Sequence, residues 1–132
     1  VAAVDFEAGE GLLMAPVAAI AGLLDAHELT LADIDVVEIH EAFAAQVLCT
    51  LAALADGDWC RTRLGRAEPL GEIDPARLNP VGSSLALGHP FAATGARLLI
   101  TAARQLRERG GGRALLSLCT AGGMGVVALL EA

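Results

Sequence analysis

The sequence predicts an α/β fold: a layered domain whose mostly parallel, mixed sheet is covered by helices. Three observations carry this. Short β-branched and aliphatic runs alternate with longer helical stretches, the pattern of strand–helix–strand units. Two C-terminal runs, Ala114 to Cys119 and Val126 to Leu130, are almost wholly apolar, as strands covered on both faces are. The composition, 55% hydrophobic but only 3% aromatic over 132 residues, calls for a close-packed aliphatic core with many alanines at element contacts.

Each element has its own signal. Val1 to Phe6 reads as an edge strand. Leu12 to Leu24 reads as a helix with Pro16 near its start, where the missing N–H does no harm, ending near His27. Thr30 to Asp33 has capping-box spacing and opens a short turn. Val36 to His40 is a brief β-branched strand. Glu41 to Asp56 is expected to be helical, with Phe43, Val47, Leu48, Leu51 and Leu54 on one face and Gly57 as the stop. Residues 57–78 hold most of the charge and turn signals and read as an irregular excursion. Residues 79–89 read as loop. Pro90 to Arg109 is the best helix, ended by Gly110, Gly111 and Gly112. The last two strands flank a glycine-rich turn, Ala121 to Gly125, and so should be antiparallel.

Composition also excludes function classes. The formal charge is −7, which repels phosphate backbones and argues against nucleic acid. All nine basic residues are Arg, so Schiff-base chemistry on a Lys of this chain is impossible. No apolar run reaches the ~18 to 20 residues that cross a bilayer. Cys49, Cys60 and Cys119 are odd in number and widely spaced, which suits a reducing compartment rather than a disulfide framework. Their spacing with the histidines lacks the pairing of a metal site. The chain opens at Val1 without a signal-peptide pattern and reads as one domain, 1–132, of a larger protein.

Three places could carry chemistry, each where a strand or loop meets the next element. At the first, His40 ends a strand and Glu41 is expected to open a helix; a plain first-turn charge beside a structural His is the bland alternative. At the second, His89 sits between Gly88 and Pro90 at the mouth of a helix, whose positive end disfavours a second ring proton, so that neutral imidazole could act as a base or donor. The bland alternative is an N-capping His. At the third, Cys119 ends a strand before Ala121, Gly122 and Gly123, where peptide N–H groups can be aimed at a ligand oxygen. A tight hairpin beside an inert thiol is the alternative. A nucleotide loop is rejected, because the glycines precede a strand and no Gly-Lys-Ser/Thr follows.

Taken in order, the segments His40-Glu41-Ala42-Phe43-Ala44, Asn79 to Pro90 with Gly88-His89-Pro90-Phe91-Ala92-Ala93-Thr94-Gly95-Ala96-Arg97, and Cys119 with its glycine turn resemble the C-terminal domain of thiolases. The resemblance spans nearly the whole chain. His40 stands where most thiolases have Asn, a variant similar to the fatty-acid-oxidation branch. The resemblance implies cleavage of a 3-ketoacyl-CoA by CoA to acetyl-CoA and a shortened acyl-CoA, or the reverse condensation, with coenzyme A as substrate and no other cofactor. It implies that His89 activates a nucleophilic cysteine of an absent N-terminal domain, and that Cys119 moves the α-carbon proton. It further implies that His40 serves the enolate-side oxyanion hole and that the N–H of Ala121, with Gly122 and Gly123, serves the other. Glu41 would orient its neighbours and Phe43 would line the acyl pocket. The family has Gly where Ala121 stands. A cytoplasmic, bacterial homo-oligomer is expected, and a partner chain in a β-oxidation complex is allowed. The isolated domain is expected to be inactive and, with an apolar face uncovered, to self-associate.

Two rivals remain. A ketoacyl synthase of the same fold lacks a second catalytic cysteine before such a turn. A non-catalytic thiolase-like module would bind acyl-CoA, lipid or a partner chain without turnover.

Overall fold

Four strands and five helices run in the order Ala2–Val4 (β1), Ala15–Ala26 (α1), Val36–Ile39 (β2), Ala44–Ala55 (α2), Gly57–Leu64 (α3), Ser84–Leu87 (α4), Ala93–Arg109 (α5), Arg113–Thr120 (β3) and Met124–Glu131 (β4). They belong to residues 2–4 and 13–132, those described by the computed structural model. The ends of the expected first strand, Val1, Asp5 and Phe6, and Leu12 of the first expected helix lie outside them. No helix among the described residues is long and apolar enough to cross a membrane.

The sheet order is β1-β4-β3-β2. A mixed sheet between helices is what the alternation predicts. Its parallel share is smaller than expected: of the three pairings described, only β2–β3 is parallel. The tight turn at 121–123 sends β4 straight back along β3, and β1 adds antiparallel to the far edge of β4.

The pleat sorts the core into two layers. Val37, Ile39, Leu115 and Val127 face Val17, Ile20 and Leu24 of α1 and Val47 and Leu54 of α2. Val36, Ala114 and Leu116 face the other way, against Leu98, Ala102 and Leu106, a one-in-four stripe along α5. The opposite face of α5 leaves Leu99 and Ile100 exposed.

Several boundaries differ from expectation. The second helix starts at Ala44, because Phe43 is extended and Glu41 lies in the irregular segment between β2 and the helix. Its buried stripe is Gln46, Val47, Thr50, Ala53 and Leu54; Phe43, Leu48 and Cys49 are exposed. Gln46 donates to Thr50 at 3.4 Å, so a polar pair occupies positions that hydropathy assigned elsewhere. Gly57 does not end the secondary structure. Asp56 turns the chain and caps α3, its Oδ1 accepting from the N–H groups of Asp58 and Trp59 at 2.8 and 3.0 Å. Cys60, within the supposed excursion, is fully buried and donates to the Ala53 carbonyl at 3.3 Å. The last helix begins at Ala93, after a turn in which Pro90 and Phe91 carbonyls take the Ala93 and Thr94 N–H groups.

The Asp56 cap serves two backbone donors that have no intrahelical partner. Asp56→Ala should therefore lower stability by about 1 kcal/mol, read as a shifted urea midpoint at unchanged slope.

Candidate active site

The site grows from the C-terminal ends of the adjacent parallel strands β2 and β3. His40 follows the last residue of β2, and its N–H donates to the Ser117 carbonyl of β3 at 2.8 Å. On the other edge of β2 runs the segment Arg77 to Asn79: Val37 N–H donates to Arg77 O, and Asn79 N–H to Val37 O. Asn79 adopts a left-handed φ of 45°, which Asn tolerates better than most residues. Its side-chain amide then extends the ladder. Oδ1 accepts from Ile39 N–H at 2.7 Å, and Nδ2 donates to Ile39 O at 3.0 Å and to Glu41 Oε1 at 2.9 Å. The second oxygen of Glu41 accepts the Leu85 N–H at 3.0 Å. Glu41 thus opens no helix; it ties the end of β2 to the loop that carries Ser83 and Ser84.

That loop closes over His40, which is 3% exposed. Its Nδ1 lies 2.7 Å from Ser84 Oγ, and Arg97 reaches the same hydroxyl from α5 at 3.2 Å. Against the His40 ring, with centroids 4.3 Å apart and planes 39° to each other, stands His89. The Nδ1 of His89 is 2.7 Å from Thr94 Oγ1 in the first turn of α5. Phe91, at a left-handed φ of 45° and 83% exposed, packs its ring 5.2 Å from His89 on the solvent side. Bulky residues at positive φ are rare outside sites that hold them there.

Burial pushes the His40 pKa below its ordinary value; the neighbouring His89 and Arg97 add to this and Glu41 opposes it. Two residues earlier, burial holds the Glu38 carboxyl above the usual range, against a hydrogen bond from Gln105 at 2.6 Å. Because folded His40 resists protonation, the unfolded chain binds a proton first as pH falls below about 6.5, and stability is lost on the acid side. Across about pH 7 to 5, His40→Gln should show a smaller acid-side loss in urea melts than the unsubstituted protein. Parallel curves would disprove it.

Cys119 is 6% exposed and stands opposite Gly125 in the β3–β4 pair. Burial raises its pKa above the ordinary thiol value, so at neutral pH it holds its proton. The turn after it uses left-handed Gly122 and Gly123, with φ of 84° and 70°; Ala121 and Gly122 are exposed and Gly123 is buried.

The fold therefore brings His40, Glu41 and His89 into one hydrogen-bonded and ring-packed cluster. It sets Cys119 with Ala121, Gly122 and Gly123 at the same end of the sheet, one strand over, without a hydrogen bond from Cys119 to either imidazole. Phe43 caps α2 three residues beyond His40 and is 64% exposed. Sequence reasoning gave no role to Asn79, Ser84, Thr94 or Arg97. Glu38 had a signal that went unused: a charge inside an otherwise apolar strand. A cavity of about 250 Å³ lined by Thr30, Leu31, Ile34, Leu70, Ile73 and Arg77 lies toward the opposite end of β2, away from this cluster.

The family described as "Thiolase, C-terminal domain" matches residues 1–132. The 3-ketoacyl-CoA thiolase of Aeromonas salmonicida is 46% identical over 122 residues, which are 92% of this chain and 28% of that protein. Among solved structures, human mitochondrial 3-ketoacyl-CoA thiolase superposes with a TM-score of 0.75 at 31% identity, over 99% of this chain and 28% of that one. The dimeric peroxisomal thiolase of Saccharomyces cerevisiae gives 0.70 at 35%, over 98% and 28%. The chain thus spans little more than a quarter of the length of these relatives. A match along the whole chain, in sequence and in fold, establishes that it belongs to the thiolase family, as a C-terminal domain.

Proposed function

We propose that this chain is the C-terminal part of an acyltransferase that cleaves 3-ketoacyl-CoA with CoA to acetyl-CoA and a shortened acyl-CoA, or runs the reverse condensation. The observation that carries the reading is the packed pair His40–His89 at the same end of the sheet as the buried thiol of Cys119. Thiolysis needs such a set. A cysteine in the remaining polypeptide attacks the 3-keto carbon, with His89 taking its proton and Thr94 holding the other ring nitrogen. The Cα–Cβ bond breaks, and its electron pair becomes the enolate of acetyl-CoA. The Cys119 thiol, kept protonated by burial, donates its proton to that carbon; in condensation the thiolate removes it. His40 donates a hydrogen bond to the enolate oxygen. The N–H of Ala121, presented by the Gly122–Gly123 turn, serves the acyl-side oxyanion. CoA then takes the acyl group from the enzyme: its thiol proton replaces the one Cys119 gave up, and the released cysteine recovers its own from His89.

Glu41 keeps the loop over His40 in place, and exposed Phe43 offers an apolar wall for the acyl chain. Coenzyme A enters as substrate, and the chemistry calls on no other cofactor. The exposed Leu99 and Ile100 of α5 suit coverage by the N-terminal domain that carries the nucleophile. The dimeric yeast relative supports a homo-oligomer. The bacterial relative, named a 3-ketoacyl-CoA thiolase, supports the substrate class; a cytoplasmic role in fatty-acid degradation with a β-oxidation-complex partner is the wider part of this proposal.

The test is an assay of the intact protein with a 3-ketoacyl-CoA and CoA, following acetyl-CoA. Turnover is expected. Acyl-CoA binding without turnover would replace this reading with a non-catalytic module.

A further inference from the structure

We propose that Ser84 and Arg97 are positioning residues that fix the tautomer of His40, so that it meets its ligand as a neutral ring with the proton on Nε2. The inference rests on the thiolase reading for its ligand, an enolate or thioester oxygen, but not for its geometry.

Hydrogen-bond direction decides the matter. A guanidinium only donates. Arg97 Nη2 donates to Ser84 Oγ at 3.2 Å and lies 3.5 Å from Ser83 Oγ. Ser83 passes its own proton to the Ile39 carbonyl at 3.1 Å. Ser84, 6% exposed, has one remaining neighbour, His40 Nδ1 at 2.7 Å. Were Nδ1 protonated, Arg97 and His40 would both donate to Ser84 Oγ. The buried hydroxyl hydrogen would then have no acceptor among the described residues, an arrangement folded proteins avoid. With Nδ1 accepting, the chain Arg97 to Ser84 to His40 is satisfied at every link, and the proton stays on Nε2. The guanidinium also opposes a second ring proton. Its Nε and Nη1 are buried without a hydrogen-bond partner, so its charge is weakly screened. His40 is thereby a hydrogen-bond donor toward a ligand and not a base.

Two polar neighbours therefore do for His40 what its own strand cannot. Burial alone would make the ring neutral but leave both tautomers open. Only a donor chain with a fixed direction selects one.

The experiment is NMR on the intact protein carrying ¹⁵N-labelled histidine, with His40→Gln assigning the signals. Near neutral pH the expected result is an unprotonated Nδ1 and a protonated Nε2 for His40. Ser84→Thr, which keeps the hydroxyl, should preserve this state. Ser84→Ala should give mixed tautomers, and Arg97→Met should keep the Nε2 tautomer but let the doubly protonated ring appear at higher pH, since the guanidinium no longer opposes a second proton. In thiolysis, Ser84→Ala should lower kcat about tenfold with KM little changed, and Ser84→Thr should restore it. A protonated Nδ1 in the unsubstituted protein overturns the proposal, as does an unmoved tautomer in Ser84→Ala. If Ser84→Ala fails to fold, the unsubstituted and Ser84→Thr spectra still decide. An intact protein without thiolysis would sink the functional reading, while the spectra would judge the tautomer independently.

Discussion

Cys119→Ala is expected to lower thiolysis kcat of the intact protein by about 100- to 10,000-fold, the range lost with a positioned general acid or base. The reason lies in the state of the thiol. It is 6% exposed at the end of β3, and burial holds its pKa up, so it is a ready proton donor and a poor resting nucleophile. Alanine removes the proton source and little volume. The defect should therefore fall on the enolate step alone. Acyl transfer from an acyl-CoA to the nucleophilic cysteine should survive, and an acyl-enzyme should be trapped by mass spectrometry. A variant with near-normal kcat would remove Cys119 from the reaction. A variant unable to acylate would make Cys119 the nucleophile and reverse the assignment.

Gly125→Ala is expected to destabilise the domain by about 3 kcal/mol or more, at the upper end of overpacking effects. Gly125 pairs with Cys119 across the sheet, and α1 begins directly over it. A Cβ at that position would sit 2.7 Å from both Ala15 C and Pro16 Cα and would also collide with Pro16 N. All three are backbone atoms, so no side-chain rotation relieves the overlap; α1 would have to lift from β4. Gly122→Ala is the control. Its Cβ meets nothing within 4 Å, and only its left-handed φ of 84° resists, which should cost about 1 kcal/mol. Urea denaturation would separate the two. Equal, small losses would mean that α1 does not rest on this glycine. The same overlap bears on catalysis, because lifting α1 disturbs the strand pair that places Cys119.

How much was legible follows from where each signal resides. The two C-terminal strands were readable because a strand covered on both faces must be apolar throughout, a purely local requirement. The long C-terminal helix was readable between Pro90 and its glycine stop, and its end at Arg109 agrees, though its start slipped three residues because Pro90 opens a turn rather than the helix itself. Helix α3 was missed: only Cys60 is fully buried along it, so it has no apolar stripe, and its start is encoded by the Asp56 cap. Leu48 was misplaced because the buried face of α2 is shifted around to Gln46 and Thr50, which hydrogen-bond to each other.

By itself the sequence determined the strand–helix alternation, the absence of lysine, and the order of the segments bearing His40, His89 and Cys119. Tertiary structure decided the rest. It set His40 against His89, two residues far apart in the chain. It made Glu41 a tether for a distant loop, and it lined up Arg97, Ser84 and His40 in one donor direction. Local periodicity reports which side of an element is buried. Which atom of a distant element meets that side, and which of two ring nitrogens must accept a proton, depends on strand order and on loops closing across the sheet, and no local pattern encodes that.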